Sequence, residues 1–218
     1  MEIARVLLKH GADTEARNIG DFCPLDLVAH EGHAELAQVL LEHGADANAQ
    51  EYQRCRPLYW ASIAGQLAVA QVLLSHGADV TAQCWNNQTA LHQAKDEEVA
   101  RLLLEHGADA NALDINNWTP LHRVSQLGHV GAARFLLEHG VDANARDAMN
   151  ATPLYVATTS RGVQEKEQLN VVRLLLQSGA DIHARDAVGW TPFMRATARG
   201  QQNIMQLLLE HGAEDHRL

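Results

Sequence analysis

The phrase Gly-Ala-Asp, with close variants, recurs along the chain, and its spacing limits the possible fold more than any other feature. Its glycines are Gly11, Gly44, Gly77, Gly107, Gly140, Gly179 and Gly212, separated by 33, 33, 30, 33, 39 and 33 residues. Twelve residues after each of the first six comes a second phrase. It reads Cys23-Pro24-Leu25-Asp26, Arg56-Pro57-Leu58-Tyr59, Thr89-Ala90-Leu91-His92, Thr119-Pro120-Leu121-His122, Thr152-Pro153-Leu154-Tyr155 and Thr191-Pro192-Phe193-Met194. All five prolines of the chain stand in this one column. A fixed period of this length marks units that cannot bury an apolar face alone and do so by stacking.

Each phrase has a mechanical meaning. Thr-Pro reads as an N-cap followed by proline at the first helical position, where no amide hydrogen is needed. The glycine of Gly-Ala-Asp reads as a helix stop, because glycine takes left-handed geometry cheaply. Between them lie two short amphipathic stretches, clearest in Leu36, Val39, Leu40 and in Val130, Ala133, Phe135, Leu136, Leu137. Gly32, Gly65, Gly128 and Gly200 divide the two. The unit is therefore turn, helix, turn, helix, turn, and the fold class is all-α.

The period, the Thr-Pro-Leu-His phrase and the terminal Gly-Ala-Asp phrase together resemble the ankyrin repeat family over essentially the whole chain. The resemblance implies a single α-solenoid domain, 1–218, with short β-hairpin-like fingers along one edge. First helices then line a concave face and second helices a convex one. The register gives a partial repeat at 1–17, then units at 18–50, 51–83, 84–113, 114–146, 147–185 and 186–218. The unit at 84–113 is short, the unit at 147–185 long, and the unit at 186–218 serves as a C-terminal cap.

Departures from the pattern carry expectations of their own. The short unit has Lys95-Asp96-Glu97-Glu98 in place of a glycine turn. The extra residues of the long unit fall within 160–170 and are expected to bulge as a surface turn away from the fingers. The fourth finger position needs left-handed backbone, which suits Gly189, Asn87, Asn117, Asn150 and Asp21. Arg54 suits it least, so the 51–83 finger is expected to be distorted. Cys23 and Arg56 replace the capping threonine, and a lost cap costs about 1 kcal/mol.

Composition excludes several functions. Asp and Glu total 27 against 17 Lys and Arg, for a net charge of −10, with no basic cluster to track a phosphate backbone. No apolar run approaches the ~20 residues of a membrane span. The start lacks a secretory pattern, so a cytoplasmic or nuclear location is expected. Three cysteines, Cys23, Cys55 and Cys84, argue against a disulfide framework and fit a reducing compartment. Of the 13 histidines, six precede a stop glycine. Repeats stacked ~8–10 Å apart cannot share a metal whose ligands sit ~2 Å away. His30-Glu31-Gly32-His33 has its histidines three apart, not the four of a zincin helix. No nucleophile–base–orienter set, phosphate loop or dinucleotide fingerprint occurs. Neither an enzyme nor a cofactor or metal is expected.

What remains is binding. By family register, partner contacts fall on the fingers and the ends of the first helices. The candidates are Phe22, Tyr52, Trp60, Trp85, Trp118, Arg123, Trp190 and Arg195, types enriched in binding hot spots. Aromatics before the Thr-Pro cap also pack on the next finger, so part of this row is structural. Asn48, Asn111 and Asn144 match the family's Leu-x5-Asp-x-Asn hydroxylation spacing, and equally a role bracing the next turn. The expectation is a monomeric, non-catalytic module for a protein or peptide partner. The alternative is a targeting domain of a larger adaptor or enzyme, such as a ubiquitin-ligase receptor or kinase.

Overall fold

The computed structural model describes residues 2–51, 53–160 and 162–214. Among them it forms twelve α-helices, a single 3₁₀ turn and no strand. The chain divides into two compact units, residues 1–109 and 110–218. The first holds α1 (Glu2–Lys9), α2 (Pro24–Glu31), α3 (Ala34–Glu42), α4 (Pro57–Ala64), α5 (Leu67–Ser75), the 3₁₀ turn (Ala90–Gln93) and α6 (Glu97–Glu105). The second holds α7 (Pro120–Leu127), α8 (Val130–Glu138), α9 (Pro153–Ala157), α10 (Glu165–Gln177), α11 (Pro192–Ala198) and α12 (Gln202–Glu210).

Within each unit, like packs on like. In the first, α2 lies on α4, α3 on α5, α5 on α6, and α4 on the 3₁₀ turn. In the second, α7 lies on α9 and α9 on α11, while α8 packs on α10 and α10 on α12. The leucine of the Thr-Pro-Leu-His phrase is the core residue of each first helix: Leu25, Leu58, Leu91, Leu121 and Leu154 are buried. Leu73, Leu103, Leu136, Leu175 and Leu208 do the same for the second helices.

The ends of the helices follow from the two phrases. Thr119, Thr152 and Thr191 each accept from the amide three residues on, at 3.4, 3.3 and 3.2 Å. At the other end the histidine before each stop glycine folds back. Nδ1 of His10, His43, His76, His106, His139 and His211 donates to the carbonyl four residues earlier, at 2.8–2.9 Å. In the first five the same carbonyl also accepts the histidine's own amide at 3.2 Å, so the ring adds a second bond at the last turn. The recurrent histidines are helix terminators.

Three expectations need correction. Arg54 does not distort its finger. It stands at φ 60°, beside 61° for Asn87 and 58° for Asn117, and its amide bonds Glu51 O at 2.8 Å as in the other fingers. Ring closure outweighs the steric cost of a side chain there. The insertion does not bulge as a turn. Much of it is helix, since α10 has 13 residues against nine in α8, and α9 is cut to five. Its start folds down, with Ser160 Oγ donating to Gln126 O at 2.6 Å. Val163 sits where a Cβ on Gly128 would be, 2.5 Å from that point, so glycine is required there. The cysteines are the third correction: Cys55 and Cys84 are joined as a disulfide, leaving only Cys23 free, and buried. Spacing could not reveal a pair whose closeness comes from stacking.

The short unit loses its residues from the first helix, which shrinks to the 3₁₀ turn. Asp96 then caps α6, accepting from Val99 N at 3.0 Å, and supplies the signal the missing glycine turn lacks.

Candidate interaction surface

Except for the one that starts at Cys84, each finger is closed around the side chain at its first position. Asp114 Oδ1 accepts from the amides of Asn116 and Trp118, at 2.7 and 3.0 Å. Asp147 does the same for Met149 and Ala151, and Asp186 for Val188 and Trp190. Asn18 and Glu51 play this part in the first unit. Backbone bonds from the first amide to the fifth carbonyl complete the loop, as in Cys84 N to Gln88 O at 2.9 Å. Neighbouring fingers are tied by Trp85 N to Gln53 O, Ala148 N to Asn116 O and Ala187 N to Met149 O. Sequence reading missed these first-position residues. Their signal, an acid or amide two residues before a tight turn, was present but drowned among many surface carboxylates.

On this frame the candidate residues separate. Trp85 is 60% exposed although its backbone is tied to Gln53. Trp190 is 37% exposed. Ile19, Ile115 and Val188 add exposed apolar surface to the fingers. Trp118 is engaged: its Nε1 donates to Asp147 Oδ2 at 2.8 Å and its ring stacks on His122, with centroids 6.2 Å apart. Phe22 and Trp60 come together edge to face at 5.3 Å. Arg123 donates to Gln126 Oε1 at 2.6 Å and lines a cleft of about 480 Å³ with Leu127, Thr159, Val163 and Arg199. Arg195 stands at the same register on α11. Tyr52 lies outside the described residues.

At His122 and Tyr59 the ninth position of a repeat links it to the next. His122 Nδ1 accepts from Thr119 N at 3.2 Å, and its Nε2 donates to Ala151 O at 3.2 Å. Burial holds its pKa below the ordinary histidine value. Tyr59 reaches Gln88 at 3.4 Å. Asp26, in the same column, accepts from Cys23 N through Oδ2 at 3.0 Å, as His122 does from Thr119. Asn48 and Asn144 are bound at both amide atoms. Asn48 spans Gly77 O and Asp79 N, and Asn144 spans Gly179 O and Asp181 N, at 2.7–3.0 Å. Asn111 shares their register. Among the described residues no group of three or more His, Cys, Asp or Glu could hold a metal ion, and no helix is long and apolar enough to cross a membrane.

Stacked helix pairs, buried Thr-Pro-Leu-His leucines and hydrogen-bonded fingers define one class of protein. A family model described as ankyrin repeats, in three copies, matches residues 1–84, 52–114, 94–186 and 148–217. The chain belongs to the ankyrin repeat family. Its fold is similar to the crystal structure of the human ASB11 ankyrin repeat domain. The TM-score is 0.76 at 27% identity, over 90% of this chain and 86% of that one. It is also similar to the ankyrin repeat domain of Bcl-3, with a TM-score of 0.68 at 25% identity, over 96% of this chain and 91% of that one. Among curated protein sequences none matches the chain. Ankyrin repeats are in general protein–protein interaction modules.

Proposed function

We propose that the chain is a non-catalytic, monomeric interaction module that captures a protein or peptide partner inside the cell. Binding uses the fingers and the face formed by the first helices. The observation that carries this reading is Trp85, a large aromatic 60% exposed on a backbone held by hydrogen bonds. Exposing an indole without a partner forfeits its burial, and a rigid mount lowers the entropy lost on binding. Trp190 extends the same feature on another finger, and Arg123 and Arg195 add cations suited to acidic side chains of the partner. The amide clamps at Asn48 and Asn144 leave hydroxylation at Asn48, Asn111 and Asn144 as a modification of the framework between fingers, outside the contact surface.

The test is a paired capture from native lysate, using wild type and a Trp85→Ala, Trp190→Ala variant shown by circular dichroism to be folded. Trp118 is left intact because it supports its neighbour. A partner lost by the folded variant supports the reading. A partner held equally by both moves binding off the fingers and overturns it.

A further inference from the structure

Between α2 and α4 lies a pocket of about 240 Å³ that brings together two of the register candidates, Phe22 and Trp60. It is lined by Phe22, Asp26, Leu27, His30, Glu31 and Trp60. The volume is below the ~300–1,000 Å³ of small-molecule sites and suits one long side chain. Phe22 and Trp60 form an aromatic corner, their rings inclined by 69°. Leu27, half exposed, closes a third side. His30 and Glu31 stand together, 3.5 Å apart.

Among the lining residues is a carboxylate with work left undone. Asp26 is 1% exposed. Its Oδ2 holds the Cys23 amide, but Oδ1 has no hydrogen-bond partner among the described residues. Among the described residues no ion pair reaches it: Arg17, whose charge acts on it through space, pairs with Asp21 instead. Trp60 Nε1 is a second buried atom without a partner. Buried polar groups are ordinarily satisfied, and each exception asks for an explanation. Here one orphan is an anionic acceptor and the other a neutral donor, and both belong to residues that line the same pocket.

Resting on the interaction-module reading, we infer that this pocket receives a basic side chain, arginine or lysine, from the partner peptide. The aliphatic stem of such a side chain packs on Leu27 and Phe22, as long cationic side chains do on apolar surface. Its cation meets the face of an indole, the best cation–π acceptor, above a buried carboxylate and beside Glu31. Guanidinium fits best, because it stacks on aromatic rings and offers a planar fork to a carboxylate. The unpartnered indole N–H calls for an acceptor, which the carbonyl of a peptide supplies and a simple amine does not. The overall charge of −10 favours the approach of a basic segment.

The probe is the capped tripeptide acetyl-Gly-Arg-Gly-amide, with its lysine and citrulline counterparts. Citrulline keeps the shape of arginine and removes the charge. Heteronuclear NMR of the whole chain follows the Trp60 indole and the amides of Leu27 and Glu31. The arginine peptide is expected to shift these signals at millimolar concentration and the citrulline peptide to leave them unmoved. Asp26→Asn keeps an acceptor for Cys23 N–H and is expected to weaken binding about tenfold. Glu31→Gln, on an exposed side chain, is expected to weaken it about twofold. Equal shifts with citrulline, or no shift with arginine, overturn the inference. Should Asp26→Asn disturb the fold, the peptide pair on wild type and the Glu31 variant still decide it. The finger comparison is read separately. Failure here with finger dependence intact removes the pocket alone, and failure of both removes the module.

Discussion

The indole Nε1 of Trp118 donates to Asp147 Oδ2 at 2.8 Å across 29 residues, joining the fifth position of one finger to the first position of the next. Cys55 and Cys84 occupy the same two register positions in the first unit, also 29 residues apart, and there the link is covalent. One structural task, tying consecutive fingers, is thus met by a hydrogen bond in one place and a disulfide in another. The equivalence makes both links open to test.

Alkylation should count the cysteines. Denatured without reductant, the protein is expected to show one reactive thiol, Cys23, and after reduction all three. In a reducing compartment the pair would stand as two thiols. By chain entropy, closing a loop of this length stabilises by about 3–4 kcal/mol, so Cys55→Ser should lower the urea midpoint of the non-reduced protein and leave the reduced protein little changed. Equal midpoints for oxidised wild type and Cys55→Ser would show that the link carries no stability.

Trp118→Phe removes the indole N–H and leaves the Asp147 carboxylate short of a donor. A loss of about 1–2 kcal/mol is expected in equilibrium unfolding. Trp85→Phe, at an exposed side chain with no such bond, should fall within about 0.5 kcal/mol of wild type. Similar losses for both would contradict the structural role assigned to Trp118.

Arg54 carries a side chain at φ 60°, where a Cβ is crowded. Left-handed geometry costs a non-glycine residue about 1–2 kcal/mol, partly offset by the greater freedom of glycine in the unfolded chain. Arg54→Gly is therefore expected to stabilise the first unit by about 0.5–1 kcal/mol, read as a raised melting temperature. Destabilisation would mean the guanidinium contributes more than its backbone costs.

Two buried groups give opposite pH dependences. His122 uses Nδ1 as acceptor and Nε2 as donor, so its neutral form is the bonded one, and burial lowers its folded pKa. Below the unfolded value of 6.5 the unfolded chain binds the extra proton, and stability falls as pH drops from there towards the folded value. Asp26 is pushed up to about 6 from 3.8, chiefly by burial, opposed by the hydrogen bonds from the Cys23 side chain and amide and by Arg17. Its folded form binds the extra proton between those values, so its cost is absent below 3.8 and complete above about 6. A shift of about two units corresponds to about 3 kcal/mol. Without ligand, Asp26→Asn should raise stability at pH 7 by up to that amount and gain nothing at pH 3. His122→Gln should flatten the fall below pH 6.5. Urea titrations across this range read both.

The periodic phrases alone determined the helix pairs and the family, though not the helix bounds in the short and long units, because caps, stop glycines and core leucines act within a few residues of themselves. They also placed Trp85 at an exposed finger position, since register in a stacked array is set by counting. Tertiary structure decided whatever depends on two repeats at once. Cys55 meets Cys84, Trp118 meets Asp147, and Phe22 meets Trp60 only because stacking brings residues about one period apart into contact. The insertion followed the same logic: its length was countable, but the contact of Val163 with Gly128, 35 residues earlier, belongs to the packed repeats. Asp26 shows the limit most plainly. In sequence it is one odd residue in a histidine column. Burial is what turns it into a carboxylate with an unused oxygen, and burial is a property of neighbours, not of the residue.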